Sequence, residues 1–390
     1  MILLTALFAL GCFGLITSTV FAGMVLAGAR FHLRSRQPQP TSWTPPLSLL
    51  KPLHGAEPGL EENLATFFSQ DYPEYEILFC ARSEDDAGLQ IARRVAARYP
   101  KVSARFFSSG KLRYINAKAQ SMEVMAAAAT HEILVISDSD VRVRPNYLHA
   151  VAAAFADEQV GAMTCLYRGV AAEGGVWSRL EAVGMSVEMT AGVLVANMLE
   201  GMRFVLGPTM AFRAETLRQM GGFAVTADYC ADDFVLGNEA FQHGWKVALS
   251  HHTIDHMVLH AAFLPSLRHQ TRWMKSTRFS RPKGHFGTSL TFSMPFALLA
   301  FAASMAMHHP MIAFALLAWG TLTRMAIAWA AGWRVVDDRS WLSMLLLYPV
   351  RDLMGFGFWA ASYLSNKVLW RGRIYRLLPG GRMEAADEAR

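Results

Sequence analysis

Long apolar stretches without charged residues lie near both ends of the chain. Residues 1–29 contain no Asp, Glu, Lys or Arg, and neither do residues 284–323. A helix of about 20 apolar residues is long enough to cross a bilayer. The pattern therefore predicts an uncleaved N-terminal anchor at 1–29. It also predicts two spans near 288–307 and 311–333, separated by the helix-breaking sequence His308-His309-Pro310.

A third apolar region, residues 341–366, carries Arg351 and Asp352 near its middle. Charged side chains are costly at the centre of a bilayer. The pattern is therefore compatible with a tilted span, a re-entrant segment or an interfacial helix, and it leaves these three alternatives open. We place the C-terminal membrane helices at 284–366 and a basic tail at 367–390.

Between the membrane segments, residues 30–283 alternate between short apolar runs and amphipathic helical patterns. The predicted strands are Leu47–Leu50, Glu76–Ala81, Val102–Phe107, Glu132–Ser137 and Gly161–Leu166, and the predicted helices are 59–69, 87–98, 117–129 and 146–156. This alternation is typical of an α/β fold with a mostly parallel sheet and helices on both faces. Such sheets bind ligands at the carboxyl ends of their strands, so the residues after each run are the first to inspect.

Composition and charge favour a membrane protein with a cytoplasmic domain. Hydrophobic residues make up 53% of the chain and charged residues only 17%, whereas about 25% charged residues is usual in soluble proteins. The net charge is +6, and basic residues flank the central block at Arg30, Arg34, Arg36, Arg278, Arg281 and Lys283. The positive-inside rule then places residues 30–283 in the cytoplasm of a multi-pass integral membrane protein. The basic excess indicates contact with the lipid bilayer rather than with nucleic acid.

Carboxylates follow two of the predicted strands and open one predicted helix. Asp85 and Asp86 follow the second strand, Asp138-Ser139-Asp140 follows the fourth, and Asp232-Asp233 precedes the helical stretch Phe234–Phe241. Each set alone is compatible with a solvated loop or a helix N-cap. The Asp138-x-Asp140 pair, however, follows a strongly apolar strand and presents its oxygens to one hard cation. Mg²⁺ or Mn²⁺ bridging a diphosphate suits this arrangement, with Asp138 and Asp140 as the metal ligands.

Basic side chains near these acids suit a phosphorylated substrate. Lys51 ends the first strand and Lys118 lies at a helix start, where each can reach a diphosphate as a point charge. Arg272 and Trp273 lie shortly before the second apolar stretch. The sequence contains no GxxxxGK[ST] or GxGxxG motif, so it does not support a P-loop or a Rossmann dinucleotide site. It also lacks GxSxG, which argues against a lipase.

Four histidines cluster near the end of the central block, at His251, His252, His256 and His260. The last three have the i, i+4 spacing of a zinc-binding face on a helix, but no Glu lies among them to serve as a general base. Packing or substrate contact is the alternative to a metal site.

Several motifs together resemble a known family. They are Ser48-Leu49-Leu50-Lys51-Pro52-Leu53, Asp71-Tyr72-Pro73, the spaced acids, Gly221-Gly222, Arg272-Trp273 and Trp370-Arg371-Gly372-Arg373-Ile374-Tyr375-Arg376-Leu377. In this order, nearly end to end, the chain resembles the membrane-bound inverting GT-A glycosyltransferases and, within them, the ceramide glucosyltransferases. Hopanoid-associated N-acetylglucosaminyl transferases are similar over the same motifs. One departure is His269, where the family motif has Gln or Arg three residues before Arg272.

The resemblance implies transfer of a sugar, with glucose preferred, from a UDP-sugar to the primary hydroxyl of a membrane lipid, with ceramide preferred. N-acetylglucosamine transfer to a hopanoid is the alternative. A processive polysaccharide synthase and a non-catalytic membrane adaptor are two further readings, disfavoured by the small number of spans and by the intact acid motifs. The oligomeric state stays open.

The resemblance also implies roles for single residues. Asp233 is the expected catalytic base, and a metal held by Asp138 and Asp140 neutralises the leaving diphosphate. The residues expected to bind the nucleotide-sugar are Lys51, Asp85, Asp86, Lys118, Asp138, Arg272 and Trp273, with Trp273 also shaping the acceptor site. Asp232 and His269 are expected to act on the acceptor or as auxiliary groups.

Overall fold

The computed structural model describes residues 1–35, 43–172, 174–259, 262–370 and 372–386. Arg36, His260 and Arg371 lie outside the described residues. The α-helices in chain order are α1 (Ile2–Arg34), α2 (Leu60–Phe68), α3 (Ala87–Ala97), α4 (Ala117–Ala128), α5 (Tyr147–Ala154), α6 (Val176–Val183), α7 (Thr190–Glu200), α8 (Ala214–Gln219), α9 (Asp232–Gln242), α10 (Phe263–Ser280), α11 (Pro282–Thr288), α12 (Met294–Ala306), α13 (Pro310–Ile327) and α14 (Trp341–Ala361). The strands are β1 (Leu47–Pro52), β2 (Tyr75–Ala81), β3 (Ser103–Ser108), β4 (Ile133–Ser137), β5 (Val141–Arg142), β6 (Val160–Ala171), β7 (Thr209–Arg213), β8 (Lys246–Val258), β9 (Lys367–Trp370), β10 (Arg373–Leu377) and β11 (Met383–Ala385).

The chain divides into two compact units, each assembled from separate segments. The helical unit comprises Met1–Ser35, Glu173–Leu199 and His260–Gly381, and the sheet unit comprises Arg36–Ala172, Glu200–Leu259 and Arg382–Arg390. The sequence-based boundaries treat residues 30–283 as one block, whereas parts of that block, including Glu173–Leu199, belong to the helical unit. This part holds most of the apolar helical stretch Val176–Glu200, in which the charged residues Arg179, Glu181 and Glu188 interrupt the apolar pattern.

The sheet unit contains an eight-stranded mixed sheet in the order β3-β2-β1-β4-β7-β6-β8-β5. The pairs β3–β2, β2–β1, β1–β4 and β6–β8 are parallel, whereas β7 runs antiparallel to both its neighbours and β5 runs antiparallel to β8. Strands β1 and β4 are buried along their whole length, as expected for apolar strands covered on both faces. The five strands predicted from the sequence are confirmed as β1, β2, β3, β4 and β6.

The three described histidines of the cluster lie on a strand, so the helical interpretation of their spacing is wrong. Strand β8 includes His251, His252 and His256, and its long pairing with β6 runs from Val160 to Ala171 on the β6 side. Residues four apart share one side of a strand as well as one side of a helix, so the spacing alone did not distinguish the two.

In the helical unit, small residues of α1 allow close packing against α12. A Cβ atom at Gly11 would lie 2.7 Å from the backbone nitrogen of Ala300, the kind of approach that small residues permit between membrane helices. A buried ion pair joins α13 to α14, with Arg324 Nη1 2.9 Å from Asp352 Oδ1. Asp352 Oδ2 also accepts hydrogen bonds from the amides of Ser293 and Met294 at the start of α12. This set of contacts explains why two charges are retained in apolar surroundings.

Three helices in the described part of the chain are long and apolar enough to cross a membrane: Ile2–Arg34, Val176–Glu200 and Pro310–Val335. The second of these was not anticipated from the sequence. It is continuous through a π-helical segment, Gly184–Met189. A fourth candidate is a pair of helices, Pro282–Thr291 and Met294–Ala306, bent by 46°. These spans are those expected of a membrane protein.

Candidate active site

The Asp138-Ser139-Asp140 motif begins where β4 ends, and backbone contacts hold it on both sides. The Asp138 amide donates to the carbonyl of Pro208 (3.3 Å), and the Asp140 carbonyl accepts from the amide of Met257 (2.8 Å). Lys51 Nζ donates to the Asp138 carbonyl at 2.7 Å. The acid loop is therefore fixed by groups from three different parts of the sheet unit.

Lys51 supports this loop from within the core. Its side chain is fully buried, and its ammonium lies 3.7 Å from the centre of the Phe67 ring. Burial lowers the pKa of Lys51 to about 7, although nearby Asp138 and Asp140 oppose the shift. The contacts of Lys51 are thus with the loop backbone and Phe67, and its predicted contact with a diphosphate stays a prediction.

Lys118 links the two acid motifs. Helix α4 starts here because the Asn116 side chain caps it, accepting from the amides of Lys118 (2.9 Å) and Ala119 (3.3 Å). Lys118 Nζ lies 2.6 Å from Asp138 Oδ1 and 3.5 Å from Asp232 Oδ2. Burial alone would lower the pKa of Lys118, but the charges of Asp138 and Asp232 outweigh it and raise the pKa above its ordinary value.

Asp233 is held by two backbone amides. Its Oδ2 accepts from the amide of Gly207 (2.9 Å) and its Oδ1 from the amide of Phe234 (2.8 Å). Burial and the adjacent charge of Asp232 raise the pKa of Asp233 to about 6, although the two amides oppose the shift. A Cβ atom at Gly207 would lie 3.3 Å from Asp233 Oδ2 and 3.8 Å from Asp138 Oδ2. The carboxylates of Asp138 and Asp233 therefore both lie next to Gly207, where there is no side chain to separate them.

Asp140 contacts a histidine that the sequence did not connect with it. Asp140 Oδ2 lies 3.1 Å from His256 Nε2, because β5, which follows the acid motif, pairs with β8 and sets Val141 opposite His256. The His256 ring also packs edge-on against Tyr167, with ring centroids 5.3 Å apart. Within the described residues, no three or more His, Cys, Asp or Glu side chains cluster as a complete set of metal ligands. Asp140 and His256 therefore form a pair of two potential ligands.

The acids after β2 have different surroundings. The carboxylate of Asp86 accepts from the amides of Gly88 (2.8 Å), Leu89 (3.3 Å) and Gly55 (3.0 Å), so Asp86 is the N-cap of α3. Asp85 is exposed. Of this pair, the structure therefore assigns a structural contact to Asp86 and leaves the Asp85 carboxylate at the surface.

The loop that leads into α9 is tied to residues near the end of the described chain. The Met383 amide donates to the Asp228 carbonyl (2.6 Å), and Arg382 Nε donates to the Tyr229 hydroxyl (3.2 Å). The Tyr229 carbonyl accepts from Asn116 Nδ2 (3.1 Å). The approach to Asp232 and Asp233 is thus supported from both the α4 cap and β11.

The remaining predicted residues lie on α10 of the helical unit. The guanidinium of Arg272 is 5.9 Å from the centre of the Trp370 ring, and the rings of His269 and Trp273 have centroids 4.5 Å apart. His269 Nδ1 lies 2.7 Å from Glu181 Oε1. Trp370 belongs to the β9–β10 hairpin, which occupies part of the segment predicted as a basic tail.

The family described as Glycosyl transferase family 21 matches residues 11–383. The chain belongs to this family. Ceramide glucosyltransferase 3 of Caenorhabditis elegans is 22% identical over 369 residues, covering 92% of this chain and 78% of the relative. Ceramide glucosyltransferase 1 of the same organism is 26% identical over 239 residues, covering 61% of this chain and 51% of the relative. The family 21 protein is accordingly a sugar-transferring enzyme.

A solved structure supports the fold of this family 21 enzyme. The mannosyltransferase PcManGT from Pyrobaculum calidifontis, in complex with GDP-Man and Mn²⁺, superposes with a TM-score of 0.51 at 20% identity, covering 88% of this chain and 99% of that chain. The predicted GT-A-type α/β fold is thereby confirmed. In the sheet unit the structure brings together Lys118, Asp138, Asp232 and Asp233, and separately Asp140 with His256.

Proposed function

We propose that this enzyme transfers glucose from UDP-glucose to the primary hydroxyl of ceramide, with inversion at the anomeric carbon. The ceramide glucosyltransferases among its relatives support the choice of donor and acceptor. The proposed mechanism depends mainly on Asp233. It is a partly buried carboxylate, and its pKa of about 6 suits a general base at neutral pH.

In the proposed step, the hydroxyl oxygen of the acceptor attacks the anomeric carbon while the bond from that carbon to the diphosphate oxygen breaks. Asp233 accepts the hydroxyl proton, and UDP leaves. The amides of Gly207 and Phe234 fix the orientation of the Asp233 carboxylate, so the base requires little reorganisation.

For the other residues we combine their contacts with the roles that the family resemblance implies. Lys118, held between Asp138 and Asp232, and Arg272 provide positive charge for the nucleotide-sugar. Asp138 and exposed Asp85 serve the ribose or uracil, whereas Asp86 caps α3 and Lys51 supports the acid loop. Trp273 and His269 serve the acceptor.

The donor set at Asp140 suits a divalent cation. The Asp140 carboxylate is the kind of ligand that Mg²⁺ and Mn²⁺ prefer, and His256 Nε2, 3.1 Å from Asp140 Oδ2, is a further nitrogen donor beside it. The coordination of such ions is commonly completed by substrate phosphates and water. We assign the ion to Asp140 and His256, whereas Asp138, the other ligand predicted from the sequence, contacts Lys118 at 2.6 Å. The bound ion would neutralise charge on the diphosphate.

We also propose that the sheet unit faces the cytoplasm. Arg30 and Arg34 lie at the end of α1, and Arg278, Arg281 and Lys283 precede or begin the bent helix pair. Basic residues at such positions favour the cytoplasmic side. The lipid acceptor would then be supplied by the cytoplasmic leaflet.

The base assignment is tested by comparing Asp233→Asn with Asp232→Asn. Loss of a general base typically costs about 10²–10⁴ in rate, so Asp233→Asn should lose this factor in kcat while UDP affinity changes little. Asp232→Asn should be milder, because Asp232 contacts Lys118 at 3.5 Å and no step requires it to accept a proton. Near-normal turnover of Asp233→Asn would place the base elsewhere.

The substrates and the metal are tested with the purified enzyme. UDP-glucose and UDP-N-acetylglucosamine are each offered with ceramide or with a hopanoid polyol, and the products are identified by mass spectrometry. We expect hexosylceramide. EDTA should abolish its formation, and Mg²⁺ or Mn²⁺ should restore it in the wild type but poorly in Asp140→Ala and His256→Ala. An amino-sugar hopanoid would support the alternative function, and full activity in EDTA would remove the metal assignment.

A further inference from the structure

Two polar side chains of helix α10 contact a buried carboxylate of α6, and a third supports one of them. Only 2% of the Glu181 side chain is exposed, and it accepts hydrogen bonds from the Ser266 hydroxyl and from His269 Nδ1, the latter at 2.7 Å. Gln270 Nε2 in turn donates to Ser266 Oγ (2.9 Å). A carboxylate is expensive to bury, so its retention here requires these donors.

The contact with Glu181 fixes the chemistry of the His269 ring. Carboxylate oxygens only accept hydrogen bonds, so the hydrogen of the neutral imidazole resides on Nδ1. In this tautomer Nε2 carries no hydrogen, so its lone pair can accept a hydrogen bond. A carboxylate behind a histidine performs the same orienting task in metal sites and in hydrolase triads.

Of the two side chains, Glu181 is buried and His269 is more accessible to solvent. The side chain of His269 is 22% exposed, compared with 2% for Glu181. The His269 ring lies against Trp273, with ring centroids 4.5 Å apart and an angle of 55° between the planes. An imidazole acceptor beside an indole face offers one hydrogen-bonding group and one apolar surface, which suits the boundary between the polar head and the apolar chains of a lipid.

A purely structural role does not account for the imidazole. Ser266 already joins α10 to Glu181, so the helices are linked without His269. A hydrogen bond that only joined the two helices would not need a partly exposed imidazole ring next to Trp273.

We propose that Glu181 is a positioning residue that orients His269, and that His269 Nε2 accepts a hydrogen bond from a hydroxyl group of the lipid acceptor. The acceptor class is a lipid with a hydroxylated head group, and Trp273 provides the adjoining apolar surface. The inference rests on the proposed function for its substrate, and it adds Glu181 as a positioning residue that no sequence motif indicated.

Kinetics separate this role from a structural one. In Glu181→Gln and His269→Ala we expect the acceptor KM for a short-chain ceramide to rise about tenfold, as for one lost hydrogen bond of about 1.4 kcal/mol, while kcat and the KM for UDP-glucose stay within about twofold. The double variant should be no worse than His269→Ala, because the two residues act as one group. His269→Gln, which returns a hydrogen-bonding side chain, should recover much of the affinity.

Ser266→Ala is the matched control, since it removes the other donor to Glu181 and leaves His269 in place. It should keep the wild-type acceptor KM. Thermal unfolding in detergent establishes which variants fold, and if Glu181→Gln does not, His269→Ala with His269→Gln decides. An unchanged acceptor KM in folded His269→Ala, or equal losses in Ser266→Ala and Glu181→Gln, would overturn the proposal.

Direct binding distinguishes failure of this inference from failure of the proposed function. A fluorescent short-chain ceramide is titrated into the detergent-purified enzyme without UDP-sugar. Weaker binding by His269→Ala than by the wild type supports the contact even if no sugar is transferred to ceramide. Equal binding by both proteins rejects the contact even if transfer occurs.

Discussion

Asp233 owes its raised pKa to burial and to Asp232, and the sign of this shift predicts a pH dependence. The proposed mechanism uses the unprotonated carboxylate, whose fraction falls about tenfold per unit below the pKa. With a pKa of about 6, kcat/KM should be level above pH 7 and fall as the pH drops through 6. Initial rates between pH 5 and 8, with UDP binding measured in parallel, provide the check. A rate that increases towards pH 5 would contradict it.

The same residue makes a prediction about stability. The pKa of Asp233 is raised by folding, so its ionised form destabilises the native state at pH 7, and this penalty shrinks as the pH falls from about 6 towards the ordinary pKa of an aspartic acid. Asp233→Asn removes this penalty at every pH, but its NH2 group cannot accept the hydrogen bond of one of the two amides. The test is therefore the pH dependence: the Tm of the wild type relative to Asp233→Asn should increase as the pH falls from 7 towards 4.

Asp86→Ala is the opposing control. Its carboxylate accepts from the amides of Gly55, Gly88 and Leu89, and loss of an N-cap typically costs about 1 kcal/mol. The Tm of Asp86→Ala should fall. If the Tm difference between the wild type and Asp233→Asn is the same at pH 7 and pH 4, the argument from the pKa of Asp233 fails.

At the level of elements, helix α9 carries Asp232 and Asp233 and packs very closely against the preceding segment. A Cβ atom at Gly237 would lie 2.3 Å from the Val205 nitrogen and 2.5 Å from the Phe204 carbonyl carbon. These are backbone atoms, so the helix itself must shift. Overpacking of this kind typically costs about 1–3 kcal/mol.

Gly237→Ala should therefore lower the Tm and reduce kcat by on the order of tenfold or more, because displacement of α9 moves Asp233 relative to the Gly207 amide. Asn238→Ala, one position along the same helix, is the control for helix propensity and should stay close to wild type. Unfolding curves and kcat for both variants provide the measurement. A fully active, stable Gly237→Ala would show that the approach of α9 to Val205 is not needed.

The sequence was informative wherever a local pattern decides the structure. Strands β1 and β4 are apolar runs with turn residues after them, so both the strands and the acids that follow β4 could be predicted. His256 could not be connected with Asp140, because their contact depends on the pairing of β5 with β8. Glu181 was missed for a similar reason, since its partner Ser266 lies 85 residues away along the chain. Side-chain pairs set by tertiary packing leave no periodic signal in a single sequence.

At the scale of the whole molecule, the burial of the native cysteines makes the proposed orientation testable with one introduced cysteine. Cys80, Cys165 and Cys230 are buried, so only Cys12 needs replacement. In a Cys12→Ser background, Lys101→Cys presents a thiol at an exposed position of the sheet unit. A thiol reagent that cannot cross membranes should label this protein in permeabilised cells and not in intact cells. Labelling of intact cells would reverse the orientation.

The contacts of β11 have a consequence for biosynthesis. Met383 and Arg382 hold the loop at Asp228 and Tyr229, yet in the chain they come after α14, the last helix of the helical unit. Protein chains fold progressively as they leave the ribosome. The sheet unit of a nascent chain can assemble β1 to β8 early, but the loop before Asp232 gains its final support only after every helix of the helical unit has been synthesised. The loop before the proposed base is thus completed only after the helices of the helical unit have been synthesised, so a chain that ends before Arg382 lacks this support.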